Sequence, residues 1–225
     1  DGKVDCDITS EICQKYDIDF YNEIGYIRAY ENKIFVSGAG SYGDAYLFDF
    51  TDKTVTTVVG MPFISAYLGE TLYYTNGEYK IYKITLDELK NGLNSTIIYD
   101  GAIFSEYEKS NFYAGIGIEQ LNVYGEYVYF SLIDEDGFSI YNLKTDGIPE
   151  KIYTHDKRIN EIVCYNGKVF FSDNYDVYCL TGKTLQFIHK VNTSNTKMSN
   201  NTEFAIHSGR LYYNLSDISE YVVIE

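Results

Sequence analysis

The chain has 225 residues and 45% hydrophobic content, enough for one well-packed domain or two small ones. It carries 18 Lys and Arg against 33 Asp and Glu, a formal net charge of −15 that repels nucleic acids and anionic membrane surfaces. We therefore expect no nucleic-acid partner, and no membrane insertion either, because no apolar run approaches the roughly 20 residues that cross a bilayer.

The N-terminal segment, residues 1–23, contains two runs in which apolar and polar residues alternate. These runs are residues 4–8 and 16–20, and such alternation is typical of half-buried strands. Cys6 and Cys13 could close a small loop as a disulfide or remain free thiols, and the sequence leaves both possibilities open.

Five segments further along the chain repeat one pattern, in which a strand and a tight turn precede an aliphatic residue and then aromatic residues. The segments are YENKIFVS (30–37), LGETLYYT (68–75), YGEYVYFS (124–131), YNGKVFFS (165–172) and HSGRLYYN (207–214). Their aliphatic anchors are Ile34, Leu72, Val128, Val169 and Leu211. Apart from a longer gap between the second and third anchors, the spacing is about 40 residues, which is the period of four-stranded propeller blades.

These repeats predict an all-β fold, a five-bladed β-propeller of four-stranded antiparallel blades that forms one domain over residues 1–225. The blades are predicted at about 24–60, 61–100, 118–154, 155–190 and 202–225, with an insertion at 101–117. The last blade lacks a fourth strand, and we expect the N-terminal closing segment 1–23, through residues 16–20, to supply it and remove exposed edges. A short helical turn is predicted within LDELKNGL (86–93).

The strand register of the fourth blade predicts the state of two further cysteines. A two-residue turn at 166–167 and the next hairpin place Cys164 and Cys179 two strands apart and on opposite faces of the sheet. That separation exceeds what a disulfide can span, so we expect two buried thiols.

The segments YYTN (73–76) and FFSD (170–173) resemble the YWTD propeller repeats of the low-density-lipoprotein-receptor group. They are also similar to a bacterial extracellular propeller family of unknown function that is built from such units. The resemblance covers residues 24–225 at the level of pattern, with Tyr or Phe in place of Trp and the final acid kept as Asp173. It implies a propeller that binds other molecules outside the cytoplasm, and it implies no catalytic residues.

The glycines Gly38, Gly40 and Gly43 form a G-x-G-x-x-G pattern, which can bind nucleotide phosphates. A dinucleotide site needs a helix after the glycines, whereas the following AYLFDF alternates like a strand. A kinase-type loop needs H-R-D and D-F-G motifs, which this sequence lacks. We therefore interpret the glycines as a wide loop between two strands and predict no cofactor.

Two groups of polar residues are candidates for chemical sites. Asp134 and Asp136 in DEDG could contribute to a Ca²⁺ site, but too few oxygen ligands lie nearby, so a polar hairpin turn is expected and no metal is predicted. Gln120, Glu161 and Glu203 share one repeat position on the innermost strand of a blade. Two carboxylates there could act as in a glycosidase, although solvated channel lining is the favoured interpretation and no catalytic residue is assigned.

A partner-binding face is predicted where the connections between second and third strands, and between blades, emerge together. We expect long loops on this face at 38–44, 101–117, 134–137 and 190–202, and binding residues concentrate on such loops. The predicted face comprises Tyr42, Asp44, Phe104, Tyr107, Phe112, Tyr113, Asp134 and Asp136. The aromatic side chains of the insertion could instead cover a neighbouring blade.

The leading functional prediction is a non-catalytic, monomeric binding module for a protein or glycan, secreted or lipoprotein-anchored at the cell surface or envelope. One alternative is a glycosidase-like enzyme that uses Glu161 and Glu203. The other alternative is a structural spacer within a larger envelope protein.

Overall fold

The computed structural model describes residues 24–30, 32–38, 45–52, 54–58, 64–75, 80–101, 117–144, 147–173, 176–190, 202–207, 210–215 and 221–224. These residues form five antiparallel sheets whose strands follow chain order.

Sheet 1 consists of β1 (Ile24–Tyr30), β2 (Lys33–Gly38), β3 (Ala45–Asp49) and β4 (Thr54–Val58). Sheet 2 consists of β5 (Ile64–Leu68), β6 (Thr71–Thr75), β7 (Lys80–Thr85) and β8 (Thr96–Asp100), with helix α1 (Leu86–Lys90) before β8. Sheet 3 consists of β9 (Ile118–Tyr124), β10 (Tyr127–Asp134), β11 (Gly137–Lys144) and β12 (Glu150–His155). Sheet 4 consists of β13 (Glu161–Tyr165), β14 (Lys168–Ser172), β15 (Asp176–Thr181) and β16 (Thr184–Lys190). Sheet 5, in its described part, consists of β17 (Thr202–His207), β18 (Arg210–Leu215) and β19 (Tyr221–Ile224).

Tight turns set the register of each sheet. Asn166 and Gly167 have φ values of 49° and 73°, the left-handed pair that a two-residue hairpin with the native strand twist requires. The predicted register is confirmed, since Cys164 lies opposite Val169 and Cys179 lies opposite Phe170. Both cysteines are buried free thiols, as expected, and burial raises the pKa of Cys164.

The core lies between neighbouring sheets, where four of the five aliphatic anchors are buried and Ile34 is half-buried. Leu72, Val128 and Leu211 are fully buried, and Val169 is 5% exposed. Val128 packs in one cluster with Tyr99 of sheet 2, so that sheet 2 covers the apolar face of sheet 3. This repeated face-to-face packing explains why the sequence repeats its anchors.

The first strands of the sheets contact one another in order, from β1 to β5, β9, β13 and β17. Side chains join some of these inner strands directly. Asn122 Oδ1 accepts a hydrogen bond from the Cys164 N–H at 3.1 Å, and Glu161 Oε2 accepts one from the Phe204 N–H at 2.9 Å. Sheets joined in sequence through their first strands have the arrangement of a β-propeller.

The all-β prediction, the four-stranded antiparallel sheets and the short helix are confirmed. Residues 134–137 require a correction, because Asp134 pairs with Gly137 and a two-residue turn replaces the expected long loop. The closing segment 1–23 lies outside the described residues, as do residues 102–116 of the insertion. Closure into a five-bladed ring therefore stays a prediction.

The two ends of the sheets differ in their connections. The turn end carries the connections from first to second strands, which span two residues in every sheet, and those from third to fourth strands. The long-loop end carries the connections from second to third strands and those between sheets. Residues 101–117 and 191–201 are the connections of greatest length there.

Candidate functional site

The long-loop end was predicted to hold the partner-binding residues, and its described part lies mainly on sheets 3 and 4. Of the predicted residues, the structure describes Asp134 and Asp136, at the hairpin between β10 and β11. The remaining predicted residues lie outside the described ranges; they are Tyr42, Asp44, Phe104, Tyr107, Phe112 and Tyr113.

Asp134 ends β10 with a carboxylate that braces the hairpin. Its Oδ2 accepts a hydrogen bond from the Tyr141 hydroxyl at 2.6 Å and lies 2.7 Å from Lys151 Nζ. Its Oδ1 accepts a bond from the Asp136 N–H at 2.9 Å. Burial alone would raise the pKa of Asp134, but bonds from Lys151, Tyr141 and the backbone outweigh burial and lower it.

Burial separates the roles of the two aspartates. The Asp134 side chain is 4% exposed, whereas that of Asp136 is 63% exposed. Asp136 Oδ2 lies 2.6 Å from the Nζ of the same Lys151. Asp134 is therefore a structural residue beneath the surface rather than a residue that a partner could contact, which corrects its predicted placement on the face. Asp136 remains a candidate contact residue.

Sheet 4 holds a second buried aspartate at the same end, joined to sheet 3. Asp173 is fully buried, and its Oδ2 lies 3.0 Å from His155 Nε2 and 3.4 Å from Lys157 Nζ. Its Oδ1 accepts a bond from the Asp176 N–H at 2.7 Å. Because His155 ends β12 of sheet 3, this cluster ties the fourth strand of one sheet to the hairpin of the next.

Aromatic rings enclose the histidine of this cluster. The His155 ring meets those of Phe171 and Tyr178 edge-on, with centroids 5.4 Å and 5.1 Å away. The Tyr178 hydroxyl donates to Asp176 Oδ2 at 3.2 Å. Burial, with the nearby Asp173 charge, raises the pKa of Tyr178, so the hydroxyl stays protonated as a donor.

Glu119 is a functional candidate that sequence reasoning missed. It lies in the bulge where β9 shifts register against β10, and its side chain is 9% exposed. One carboxylate oxygen lies 3.1 Å from Arg158, while the other is buried without a hydrogen-bond partner. Burial raises its pKa despite the opposing effect of Arg158, so this carboxyl accepts a proton more readily than a surface glutamate does.

The three predicted channel residues occupy equivalent register positions. Gln120 pairs with Ser131, Glu161 with Ser172, and Glu203 with Asn214, as the repeat alignment predicts. Gln120 and Glu161 are half-buried, and the Glu203 side chain lies outside the described part. Since Glu161 Oε2 accepts a backbone bond from sheet 5, this carboxylate has a structural role between sheets.

Exposed charges surround these buried groups at the long-loop end. The side chains of Asp156, Arg158 and Lys157 are 82%, 64% and 42% exposed. Together with exposed Glu135 and Asp136 they give the described part of this end a mixed but acidic surface. Such a surface is suited to recognising a partner by charge.

Within the described ranges, no group of three or more His, Cys, Asp or Glu residues is placed to hold a metal ion. In the same ranges, no helix combines the length and apolar character needed to cross a membrane.

Comparison with known proteins supports the fold and nothing finer. No protein-family model matches the chain, and no curated protein matches it in sequence. Among solved structures, the chain is similar to one in the nidogen/laminin complex, with a TM-score of 0.62 and 11% identity over 90% of this chain and 75% of that one. It is similar to a streptogramin B lyase, with a TM-score of 0.59 and 13% identity over 84% of this chain and 61% of that one.

A third similar structure is a protein of unknown function from Bacteroides thetaiotaomicron, with a TM-score of 0.59 and 16% identity over 85% of this chain and 52% of that one. The chain therefore spans from about half to three quarters of these structures. At such identities the likeness shows the fold alone, which is that of a β-propeller.

Proposed function

We propose that this chain is a non-catalytic binding domain that holds a protein partner at its long-loop end, outside the cytoplasm or at the cell surface. The observation that carries the proposal is the difference between the two ends. First and second strands are joined by two residues in every sheet, whereas 101–117 and 191–201 connect sheets at the long-loop end. Long connections on a rigid scaffold are where proteins concentrate binding residues.

The buried polar contacts beneath this end support the proposal, because a surface that is ordered before binding loses less conformational entropy when a partner binds. Asp134 fixes the β10–β11 hairpin through Tyr141 and Lys151. Asp173 and His155 fix the neighbouring hairpin to the adjacent sheet. Both groups of contacts lie at the long-loop end.

The charge of this end indicates the class of partner. Among the described residues of this end, exposed Glu135, Asp136 and Asp156 outnumber the exposed side chains of Lys157 and Arg158. We therefore propose a protein with a basic patch, and we expect its association to weaken as salt rises. A related fold occurs in the nidogen/laminin complex, which is an assembly of proteins.

The proposal includes a monomeric, five-bladed ring in which residues 16–20 complete sheet 5. It also assigns no chemistry to the inner strands, since Glu161 serves as a hydrogen-bond acceptor for the Phe204 N–H. The similarity to a streptogramin B lyase concerns the fold alone.

The test is affinity capture with the purified chain, using the extracellular and surface protein fraction of the source cells. The loop variant lacks residues 102–114, and the matched control carries Glu126→Lys at an exposed two-residue turn of the opposite end. We expect the wild-type chain and the control to retain the same protein, and the loop variant to lose it while keeping its circular dichroism spectrum and melting temperature.

Four results would overturn the proposal. Equal capture by the loop variant would show that the long-loop end is not the binding surface. Retention of a glycan but no protein would change the partner class. Turnover on a glycan panel that disappears in a Glu161→Gln, Glu203→Gln double variant would favour the enzyme, and no capture of any kind would favour a spacer.

A further inference from the structure

A groove of about 530 Å³ lies between sheets 1 and 2, with α1 and the 92–95 connection at the turn end as one wall. This volume falls in the range of small-molecule sites. The described lining residues include Thr57, Tyr74, Tyr82, Leu93, Asn94 and Ser95.

Two stacked tyrosines form the floor of the groove. Tyr74 on β6 pairs directly with Tyr82 on β7, and their rings stack with centroids 5.2 Å apart and an interplanar angle of 16°. Tyr74 is 8% exposed, and Tyr82 is half-buried. The Tyr74 hydroxyl shares a hydrogen bond with Ser95 Oγ, which fixes the ring in the wall of the groove.

The same stacked pair recurs in sheets 3 and 4, where the preceding sheet covers it. Phe130 stacks on Tyr141 and meets Tyr99 of sheet 2 at 5.6 Å. Phe171 stacks on Tyr178 in the same way, and Tyr153 of sheet 3 lies 5.7 Å from it. At both of these interfaces an aromatic ring from the fourth strand of the preceding sheet fills the space.

Among the residues that the structure describes, the fourth strand of sheet 1 contributes no covering ring. In sheets 2 and 3 a register shift on the fourth strand places Tyr99 opposite Ile81 and Tyr153 opposite Ile140. β4 pairs with β3 without a shift, and its sequence TVTTV contains no aromatic residue. The groove is therefore the space that a tyrosine occupies at the corresponding interfaces.

The walls of the groove are held in place. A capping box between Thr85 and Glu88 fixes the start of α1. Lys90 at its end reaches across to sheet 1, with Nζ 3.0 Å from Asp52 Oδ2 and 3.5 Å from Asp49 Oδ2. This ion pair joins the two sides of the groove, so a ligand would enter a largely preformed site.

The chemistry of the lining defines the ligand. None of the described lining residues is charged, so the groove favours a neutral molecule over an ion. Aromatic and aliphatic surface from Tyr82 and Leu93 lies beside the hydroxyl and amide groups of Thr57, Asn94 and Ser95. A ring that has an apolar C–H face and a rim of hydroxyl groups matches this combination, and that is the structure of a pyranose sugar.

We propose that the groove between sheets 1 and 2 binds a short neutral carbohydrate, with one sugar ring packed on Tyr82 and its hydroxyl groups facing the 93–95 loop. Leu93 is 57% exposed at the rim and would contact a second sugar ring. This site is separate from the partner surface at the long-loop end.

The test is titration of the purified chain with a panel of neutral disaccharides, namely maltose, cellobiose, lactose and N,N′-diacetylchitobiose, followed by NMR or calorimetry. We expect at least one of them to bind. Tyr82→Ala should weaken binding at least about ten-fold, whereas Tyr82→Phe, which keeps the ring, should change it by less than about three-fold. The control Tyr127→Ala removes an exposed tyrosine from sheet 3 and should have no effect.

A second variant protects the test against loss of folding. Thr57→Tyr supplies the kind of ring that covers the stacked pair at the other interfaces, so it should abolish binding without lowering the melting temperature. Deletion of residues 102–114 should leave sugar binding unchanged, which separates this proposal from the one for the long-loop end. The proposal is overturned if no disaccharide binds, if p-cresol binds and the sugars do not, or if binding survives both Tyr82→Ala and Thr57→Tyr.

Discussion

At the scale of single residues, carboxylates that look similar in sequence have different roles. Asp134 and Asp136 lie two positions apart in one hairpin and both contact Lys151. The buried Asp134 carboxylate accepts hydrogen bonds from Tyr141 and the Asp136 N–H and pairs with Lys151. The ion pair of the exposed Asp136 is screened by water. Burial, rather than residue type, decides which of them stabilises the fold.

Replacing Asp134 by Asn should lower the free energy of unfolding by about 1–3 kcal/mol at pH 7, because Tyr141 and Lys151 lose a buried ionic acceptor. Asp136→Asn is the matched control and should cost less than about 0.5 kcal/mol. Urea unfolding of the wild-type chain and both variants measures the difference. Equal losses in the two variants would show that the buried contacts of Asp134 contribute nothing beyond surface charge.

The same residue predicts a dependence of stability on pH. The pKa of Asp134 is lower in the folded chain than its ordinary value of 3.8, so its contribution is present above that value and is lost as pH falls through the folded pKa. Below about pH 4 the difference between the wild-type chain and Asp134→Asn should therefore shrink. A difference that stays constant from pH 7 to pH 3 would contradict this assignment.

At the scale of elements, α1 shows how local sequence determines a short helix. A helix of five residues is too short to be stable by propensity alone. Thr85 Oγ1 accepts the Glu88 N–H at 3.2 Å, and Glu88 Oε2 accepts the Thr85 N–H at 2.8 Å. This reciprocal cap and the Lys90 ion pairs hold the helix against sheet 1.

Thr85→Ala should therefore lower the free energy of unfolding by about 1 kcal/mol, whereas Thr85→Ser, which keeps the hydroxyl, should lower it by less than about half of that. Urea midpoints give the comparison. Similar losses in the two variants would mean that the threonine methyl group, and not the cap, stabilises this connection.

The sequence predicts elements well where local chemistry determines them. The aliphatic anchors and two-residue turns predict the strands, and the turn at Asn166 and Gly167 predicts the register that separates Cys164 from Cys179. Polar contacts between sheets were not predictable in the same way. His155 and Asp173 are 18 residues apart and meet only after two sheets have packed.

Register shifts limited the prediction of the sites. The bulge at Glu119 buries a carboxyl in a run that otherwise alternates regularly. Register shifts between the third and fourth strands place Tyr99 and Tyr153 over the next sheet. The pairing of β3 with β4 has no such shift, and the groove beside Tyr82 lies at that interface. Alternation in a single strand carries no information about such shifts.

At the scale of the whole molecule, the inner strands are joined by hydrogen bonds between side chain and backbone. Asn122 joins sheet 3 to sheet 4, and Glu161 joins sheet 4 to sheet 5. Among the described residues, β19 pairs only with β18. The ring proposed above therefore depends on what lies along the other edge of β19.

If residues 16–20 complete sheet 5, deletion of residues 1–23 should expose the edge of β19 and destabilise the chain. We expect the melting temperature to fall by about 5–10 °C, since 1 kcal/mol shifts the midpoint of a domain of this size by about 2–4 °C. The exposed edge should also promote pairing between copies, so light scattering after size exclusion should detect dimers or larger species. Deletion of residues 1–12, which keeps the 16–20 run, is the matched control and should leave a monomer close to the wild-type melting temperature. If the 1–23 deletion melts like the wild-type chain and stays monomeric, the N-terminal segment does not close the ring.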